Sequence, residues 1–160
     1  MTADLVHFTK TDDIQREIDA LFASEKEKLS GLLPDGDIQH VGSTAVPGTL
    51  SKGDLDINIR VTSEQFPVLI EKLKPIYEIN QSENWTNGFA SFKDDFRDLG
   101  VQVTVIGTSH DCFVAQRNYL RNHPDAVAEY NQLKNKFEGK NMDDYRKEKA
   151  KFFEALAEKL

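Results

Sequence analysis

The segment from His40 to Gly48 constrains what this chain can fold into more than any other stretch. It reads His-Val-Gly-Ser-Thr-Ala-Val-Pro-Gly, and two aspartates, Asp54 and Asp56, follow shortly after it. The short run Asp37–Val41 predicts a strand that ends at the Gly-Ser pair, which in turn predicts a tight turn into a short helix. The two aspartates are expected on the next strand.

The chemistry expected of this segment is phosphate and metal binding. Gly42 and Ser43 would present free backbone N–H groups and a hydroxyl to an anion. Two residues apart on one strand, Asp54 and Asp56 would project from the same face. Magnesium prefers few protein oxygens together with substrate phosphates, and two such ions would activate an attacking hydroxyl and stabilise a leaving pyrophosphate. We therefore predict Asp54 and Asp56 as metal ligands and catalytic groups.

Polar and apolar side chains alternate along two predicted strands, as this proposal requires. Asn58 and Arg60 share the predicted face of Asp56, and Asp98, Gln102 and Thr104 share one face of a later strand. A sheet with one apolar and one polar face follows. The polar face is either simply solvated or the floor of a ligand cleft, and the Gly-Ser turn favours the cleft.

The remaining periodicity places helices and strands around this sheet. Helices are predicted to begin near Thr11, with its hydroxyl as a cap, and near Thr62. Residues 88–93 and 99–106 predict two strands of an antiparallel hairpin. From His110 onward every periodic segment is helical.

Turn chemistry divides this last part into three helices. Pro124 suits the first turn of one helix, and Asn141 suits the cap of another. We predict one α+β domain over residues 1–160. A small mixed sheet with helices on one face would occupy about residues 1–107, and a helical part about residues 108–160.

Composition limits the partners and the location. The chain has 27 acidic and 20 basic residues, a net charge of −7, which argues against bulk nucleic-acid or anionic-membrane binding. Cys112 is the only cysteine, so no intrachain disulfide can form. No apolar run approaches the length of a membrane span, and the first residues do not resemble a signal peptide. We therefore expect a cytoplasmic protein.

The motifs resemble those of a known superfamily. Gly-Ser followed about a dozen residues later by Asp-x-Asp is similar to the signature of nucleotidyltransferases. More closely, His40–Gly48 resembles the signature of the GrpB family, largely uncharacterised proteins of that superfamily. The similarity continues at Arg117–Arg121, then at Tyr130 and Lys134, then at Tyr145 and Lys149, and so covers the chain from about Gln39 to its end.

The resemblance implies a nucleotidyltransferase-like fold, a nucleoside triphosphate as substrate or ligand, and Mg²⁺. Gly42, Ser43 and Thr44 would hold phosphates in the turn. The helical part would add a second set of binding residues, Arg117, Tyr130, Lys134, Tyr145 and Lys149. The two Tyr–Lys pairs are spaced i,i+4 and so are neighbours on a helix. These cations either extend to the solvent at a helix rim or line the cleft, and the resemblance favours the cleft.

One departure from the superfamily leaves two functions open. Active nucleotidyltransferases usually carry a third carboxylate on the later strand, where this chain has Gln102 and Thr104, and neither can replace it. Asp98 is the one nearby substitute. The protein is then either a Mg²⁺-dependent nucleotidyltransferase with an unknown acceptor, or an inactive module that binds a nucleotide or phosphorylated metabolite. Fusion of GrpB-like domains to dephospho-CoA kinase suggests a ligand related to coenzyme A. The sequence does not predict an oligomeric state.

Overall fold

A five-stranded mixed sheet is the centre of the computed structural model, which describes residues 4–160. In chain order the strands and helices are β1 Thr9–Lys10, α1 Thr11–Leu32, β2 Asp37–Val41, β3 Leu50–Ser51, β4 Leu55–Val61, α2 Gln65–Leu73, β5 Glu78–Ile79, β6 Phe89–Asp94, β7 Leu99–Val105, α3 Phe113–Asn122, α4 Pro124–Phe137 and α5 Met142–Ala157. The short 3-10 helices Ser43–Ala45 and Ser82–Asn84 lie in the connections.

The sheet has the strand order β2-β4-β7-β6-β5. Strands β4 and β7 pair in parallel, whereas β2–β4, β6–β7 and β5–β6 are antiparallel. The predicted hairpin of β6 and β7 is therefore confirmed. The parallel pair places Asp56 opposite Gly100 and Asn58 opposite Gln102. Strands β1 and β3 form a separate two-stranded sheet.

The apolar face of the sheet packs against α1 and α2, as the alternation predicts. Its core joins the inward side chains of β4 and β7 to Ile18 and Leu29 of α1 and to Phe66 and Leu73 of α2. Each of these residues is at least about nine-tenths buried. Burying an aliphatic or aromatic side chain of this size contributes about 1.5–3 kcal/mol, so this face supplies the larger share of the stability.

The helical C-terminal part lies across the polar face. Its own cluster packs Leu120, Tyr130 and Leu156 against Val46, which follows the Gly-Ser turn. Pro124 begins α4, and the Asn141 side chain accepts a hydrogen bond from the backbone N–H of Asp144 at 3.1 Å. Both predicted helix starts are confirmed. This part of the chain thus forms a wall opposite the sheet.

The structure corrects three details of the predicted elements. Helix α1 begins at Thr11, but the Thr11 hydroxyl bonds the Thr49 hydroxyl at 3.0 Å and does not cap the helix. The second helix begins later than Thr62, at Gln65, because Thr62 and Gln65 cap each other through reciprocal side-chain hydrogen bonds. Asp54 precedes β4, since the strand begins at Leu55.

In residues 4–160 no helix combines the length and apolar character needed to cross a bilayer.

An ion cluster fastens α1 to the sheet. Glu25 is 1% exposed, accepts hydrogen bonds from Tyr77 and Arg97, and lies 3.2 Å from the Lys28 ammonium. Burial alone would raise the pKa of Glu25, but the hydrogen bonds from Tyr77 and Lys28, the Lys28 charge and the bond from Arg97 outweigh it, and the pKa is lowered. The cluster therefore favours the charged carboxylate and stabilises the fold at neutral pH.

We predict that Glu25→Ala lowers the free energy of unfolding by about 2–3 kcal/mol, because Tyr77 is left without its buried acceptor. Urea denaturation measures the change. Since the folded pKa is lowered, the difference from wild type should shrink as the pH falls below about 4.3, the ordinary glutamate pKa. Glu27→Ala, on the exposed side of the same helix, should change stability by less than about 0.5 kcal/mol. Equal effects of the two substitutions would contradict this role.

Candidate functional site

The Gly-Ser turn passes directly over the Asp56 carboxylate. Gly42 has φ 78° and ψ −173°, a conformation open essentially to glycine alone. A Cβ atom at position 42 would collide with the Asp56 carboxylate oxygen. Glycine thus serves two purposes here, because it permits the turn and allows the backbone to approach the acid.

Internal hydrogen bonds hold the turn against the start of β4. The Thr44 hydroxyl donates to the Asp54 carbonyl oxygen at 3.0 Å, and lies 2.9 Å from Nε2 of His40. Thr44 is 1% exposed, so its side chain supports the turn from behind. Burial lowers the pKa of His40 to about 4, and Arg121 and Arg117 act in the same direction. His40 is therefore neutral at physiological pH and can donate to Thr44 from Nε2.

A cavity of about 140 Å³, here called the polar cavity, opens at the turn. Eight of the ten predicted site residues line it, namely Gly42, Ser43, Asp54, Asp56, Tyr130, Lys134, Tyr145 and Lys149. Thr44 and Arg117 do not. Phe8, Ser51 and Lys52 complete the lining. The structure therefore brings the turn, the two acids and the two Tyr–Lys pairs together.

Lys134 is the most deeply buried cation of the polar cavity. It is 1% exposed, and its ammonium group donates to the Ser43 hydroxyl at 2.7 Å and to the Leu50 carbonyl oxygen. It also lies 3.7 Å from the centre of the Tyr130 ring. Burial, with the charges of Lys149 and Lys52, lowers the pKa of Lys134 to about 6. Its surroundings therefore contain positive charge and supply no carboxylate partner within 4.0 Å among residues 4–160.

The two acids differ in exposure. The Asp54 side chain is 42% exposed and lies 3.9 Å from the Lys52 ammonium. Asp56 is half-buried, and burial together with the charge of Asp54 raises its pKa to about 6, against the opposing effects of Lys149, Lys52 and Gln102. Two carboxylates that face one cavity with this mutual repulsion are a suitable pair for a divalent cation.

No third acid from residues 4–160 joins this pair. Gly100 faces Asp56 across the parallel strands, and a Cβ there would meet the Asp56 carboxylate at 3.0 Å and the Gln102 amide nitrogen at 3.2 Å. Thr104 is fully buried and accepts a hydrogen bond from Asn58 at 3.0 Å. Asp98 is exposed, at a turn with φ 49°, and does not line the cavity. Across residues 4–160, no three His, Cys, Asp or Glu side chains cluster as a metal site would require.

A second cavity of about 350 Å³ meets the polar cavity at Gly42, Asp56 and Lys149. Its other walls come from β2, β7 and the C-terminal helices, namely Val41, Gln102, Phe113, Gln116, Arg117, Leu120 and Phe153. We call it the acceptor-side cavity, a name that refers only to its position across Asp56 from Lys134. Arg117 thus lines this neighbouring cavity and does not line the polar cavity.

Sequence reasoning missed residues in both cavities. Phe8 reaches the polar cavity because β1 pairs with β3, a contact of two-residue strands that leaves no periodic pattern. Lys52 stands in the conspicuous Lys-Gly-Asp run before Asp54, and that position could have identified it. Phe113 and Phe153 follow ordinary helical spacing, which does not distinguish a cavity wall from a core.

Comparisons with solved structures relate the fold to nucleotidyltransferases. The conserved protein GrpB from Enterococcus faecalis is 24% identical, with a TM-score of 0.63 over 74% of this chain and 76% of that one. The Cid1 poly(U) polymerase bound to MgGTP is 14% identical, with a TM-score of 0.53 over 79% of this chain and 42% of that one. At these identities the likeness concerns the fold alone, and the predicted α+β nucleotidyltransferase-like class is confirmed.

Sequence comparison identifies the family. A UPF0157 protein of Vibrio cholerae serotype O1 is 29% identical over 158 residues, which cover 98% of this chain and 84% of that protein. The family described as GrpB protein matches residues 10–159, nearly the whole chain. The resemblance inferred from the His40–Gly48 segment is thereby confirmed, and this chain belongs to the GrpB protein family.

Proposed function

We propose that this protein is a Mg²⁺-dependent nucleotidyltransferase that moves a nucleotidyl group from a nucleoside triphosphate to a hydroxyl of an acceptor. The polar cavity carries this proposal, because it joins the Ser43 hydroxyl, three lysines and two acids in one space. Lysines there would bind phosphates, and Asp54 and Asp56 would bind the metal. The nucleotidyltransferase-like fold supports the same assignment.

The charges of the polar cavity favour a polyphosphate. Within residues 4–160, neither Lys134 nor Lys149 has a carboxylate within 4.0 Å, and Lys52 has only the long contact with Asp54. Partly desolvated ammonium groups without close counterions are costly, so an entering phosphate gains the attraction of Lys52 and Lys149 and also favours protonation of Lys134. The volume of about 140 Å³ suits phosphate groups, and the nucleoside would extend beyond it.

The donor set fits magnesium. Asp54 and Asp56 offer hard carboxylate oxygens, and the rest of the coordination shell would come from nucleotide phosphates and water, as Mg²⁺ usually requires. When bound, the ion would polarise the phosphate and stabilise the charge of the leaving pyrophosphate. Two carboxylates serve one shared ion well. A second ion generally needs a third carboxylate. Where that carboxylate would lie, this chain has Gly100 and Gln102.

Gln102 favours a second candidate function, a binding module without catalysis. Its amide nitrogen lies beside Asp56, where an acid would complete the catalytic set. A module of this kind would keep the lysines and the Gly-Ser turn and bind a nucleotide or another phosphorylated metabolite, including one related to coenzyme A. In either case the partner is a small phosphorylated molecule, and a cytoplasmic location remains the expectation.

We predict that Mg²⁺ together with ATP or another nucleoside triphosphate raises the unfolding temperature. At a ligand concentration of 100 times Kd the stabilisation would be about 2.7 kcal/mol. Asp54→Asn and Asp56→Asn should abolish the part of the shift that requires Mg²⁺, because each removes a carboxylate ligand. Thermal-shift assays measure the effect, and Asp98→Asn is the matched control, since asparagine tolerates the same positive φ outside the cavity.

The same assay separates the two functions. Equal stabilisation by the nucleotide with and without Mg²⁺ would favour the binding module over the enzyme. Absence of a shift with every nucleoside triphosphate, in a wild-type protein that unfolds cooperatively, would contradict both. If the stabilisation requires Mg²⁺, an assay for released pyrophosphate would then test whether the protein catalyses the transfer.

We predict that triphosphate binding at pH 8 takes up a proton through Lys134. Because burial places its pKa at about 6, most of the free protein carries a neutral amine there, and a neighbouring phosphate shifts the pKa upward. The uptake should approach about one proton per nucleotide. Titration calorimetry in buffers of different ionisation enthalpy measures it. At this pH Asp56 is already ionised and contributes little.

Lys134→Met should remove this uptake and weaken binding, while the exposed Lys136→Met on the same helix should leave both unchanged. Proton uptake that persists in Lys134→Met would show that another group is responsible. It would also remove Lys134 from the proposed phosphate site.

A further inference from the structure

The acceptor-side cavity differs in chemistry from the polar cavity that it adjoins. Phe113, Leu120 and Phe153 give it apolar walls, and Gln102, Gln116 and Arg117 give it a few polar groups. Its volume of about 350 Å³ is within the range of small-molecule sites, roughly 300–1,000 Å³. Mostly apolar walls with a few convergent polar groups are typical of a site for a small organic molecule.

Arg117 supplies a positive charge that no carboxylate within residues 4–160 pairs with. Its Nη1 donates to the Gln39 side-chain oxygen and to the His40 carbonyl oxygen, both at 2.9 Å, and its Nε donates to Asn118 at 3.1 Å. All three acceptors are neutral, and residues 4–160 place no carboxylate within 4.0 Å of this guanidinium. One half-buried guanidinium with donor capacity left at Nη2 matches one negative charge, which a carboxylate would provide.

Gln102 supplies an acceptor without a donor. Its Oε1 atom is buried and has no hydrogen-bond partner within residues 4–160, while the side chain lines the cavity and its amide nitrogen lies beside Asp56. Leaving a buried carbonyl oxygen unpaired is unfavourable, and a ligand hydroxyl would satisfy it. The two groups together favour a ligand with an acid at one end and a hydroxyl at the other, near Asp56.

The position of the cavity defines the role of this ligand. In-line transfer requires the attacking and leaving oxygens on opposite sides of the phosphorus atom. With the triphosphate among the lysines, the leaving side is the polar cavity, and the attacking side opens beyond Asp56. We infer that the acceptor-side cavity binds the acceptor, a small hydroxy acid with an apolar or aromatic body whose carboxylate contacts Arg117 and whose hydroxyl faces Asp56. This inference rests on the proposed nucleotidyl transfer.

The reaction balances with these partners. The acceptor oxygen forms a bond to the α-phosphorus, and the bond from that phosphorus to the oxygen bridging the α- and β-phosphates breaks. Pyrophosphate leaves with the electron pair of that bond, and the hydroxyl proton is released to water. The product is a nucleotidyl ester of the hydroxy acid.

Binding of model acceptors tests the inference. The probes are para-hydroxyphenylacetate and ω-hydroxyhexanoate, with phenylacetate lacking the hydroxyl and tyramine carrying a cation in place of the carboxylate. We expect at least one hydroxy acid to bind the full chain in titration calorimetry with Mg²⁺ and a non-hydrolysable triphosphate present. If para-hydroxyphenylacetate binds, phenylacetate should bind about tenfold more weakly, and tyramine should not bind.

Three variants locate the binding. Arg117→Lys should weaken hydroxy-acid binding about tenfold, because lysine cannot reproduce the forked donor geometry. Gln116→Trp should abolish it by filling the cavity without removing a core side chain. Arg121→Lys is the matched control, because Arg121 lies on the same helix, donates to the Ala45 carbonyl oxygen and lines neither cavity. The unfolding midpoint of each variant establishes that it folds.

The outcomes separate this inference from the proposed function. Nucleotide binding without binding of either hydroxy acid would overturn the inference and leave the proposed function standing. Hydroxy-acid binding without any nucleotide binding would overturn the acceptor role together with the proposed function. Binding of a short oligouridylate that Gln116→Trp abolishes, in place of the hydroxy acids, would identify a nucleic-acid acceptor and overturn the inference as well.

Discussion

The close approach between the Gly42 backbone and the Asp56 carboxylate is the contact on which both cavities depend. It places the turn directly above the acid, and Gly42 and Asp56 are two of the three residues that both cavities share. A side chain at position 42 would push the turn away from β4 and separate Ser43 from the carboxylates. Thr44 also holds the turn close to β4, because its hydroxyl donates to the Asp54 carbonyl oxygen.

Buried ionisable groups have different surroundings in two parts of the fold. Between α1 and the sheet, Glu25 is buried with three partners and needs no ligand. In the polar cavity, Lys134 is buried to the same degree beside other lysines. The first arrangement stabilises the fold, whereas the second is stable only because a hydroxyl, a carbonyl and an aromatic ring surround the amine. The proposed polyphosphate would supply the negative charge that favours protonation of this amine.

Local sequence patterns identified most of the residues that line the polar cavity, but they did not identify the neighbouring cavity. The Gly-Ser turn, the two aspartates and the Tyr–Lys pairs could be read from spacing and resemblance, and eight of ten residues meet in one cavity. Thr44 and Arg117 lie elsewhere because their roles depend on hydrogen bonds to Asp54 and His40 across the fold. The acceptor-side cavity could not be predicted, since its walls join β2 and β7 to α3 and α5, and no local period encodes such a junction.

The parallel pairing of β4 and β7 has a consequence for how the site forms during folding. Asp56 and Gly100 become neighbours only after α2, β5 and β6 have crossed between them, and Ser43 meets Lys134 across 91 positions of sequence. Contacts between distant residues form slowly, because the loop must close before they contribute. The hairpin of β6 and β7 and the helices can form early from local contacts. We therefore expect the two cavities to form last, when the C-terminal helices dock on a sheet that is already in place.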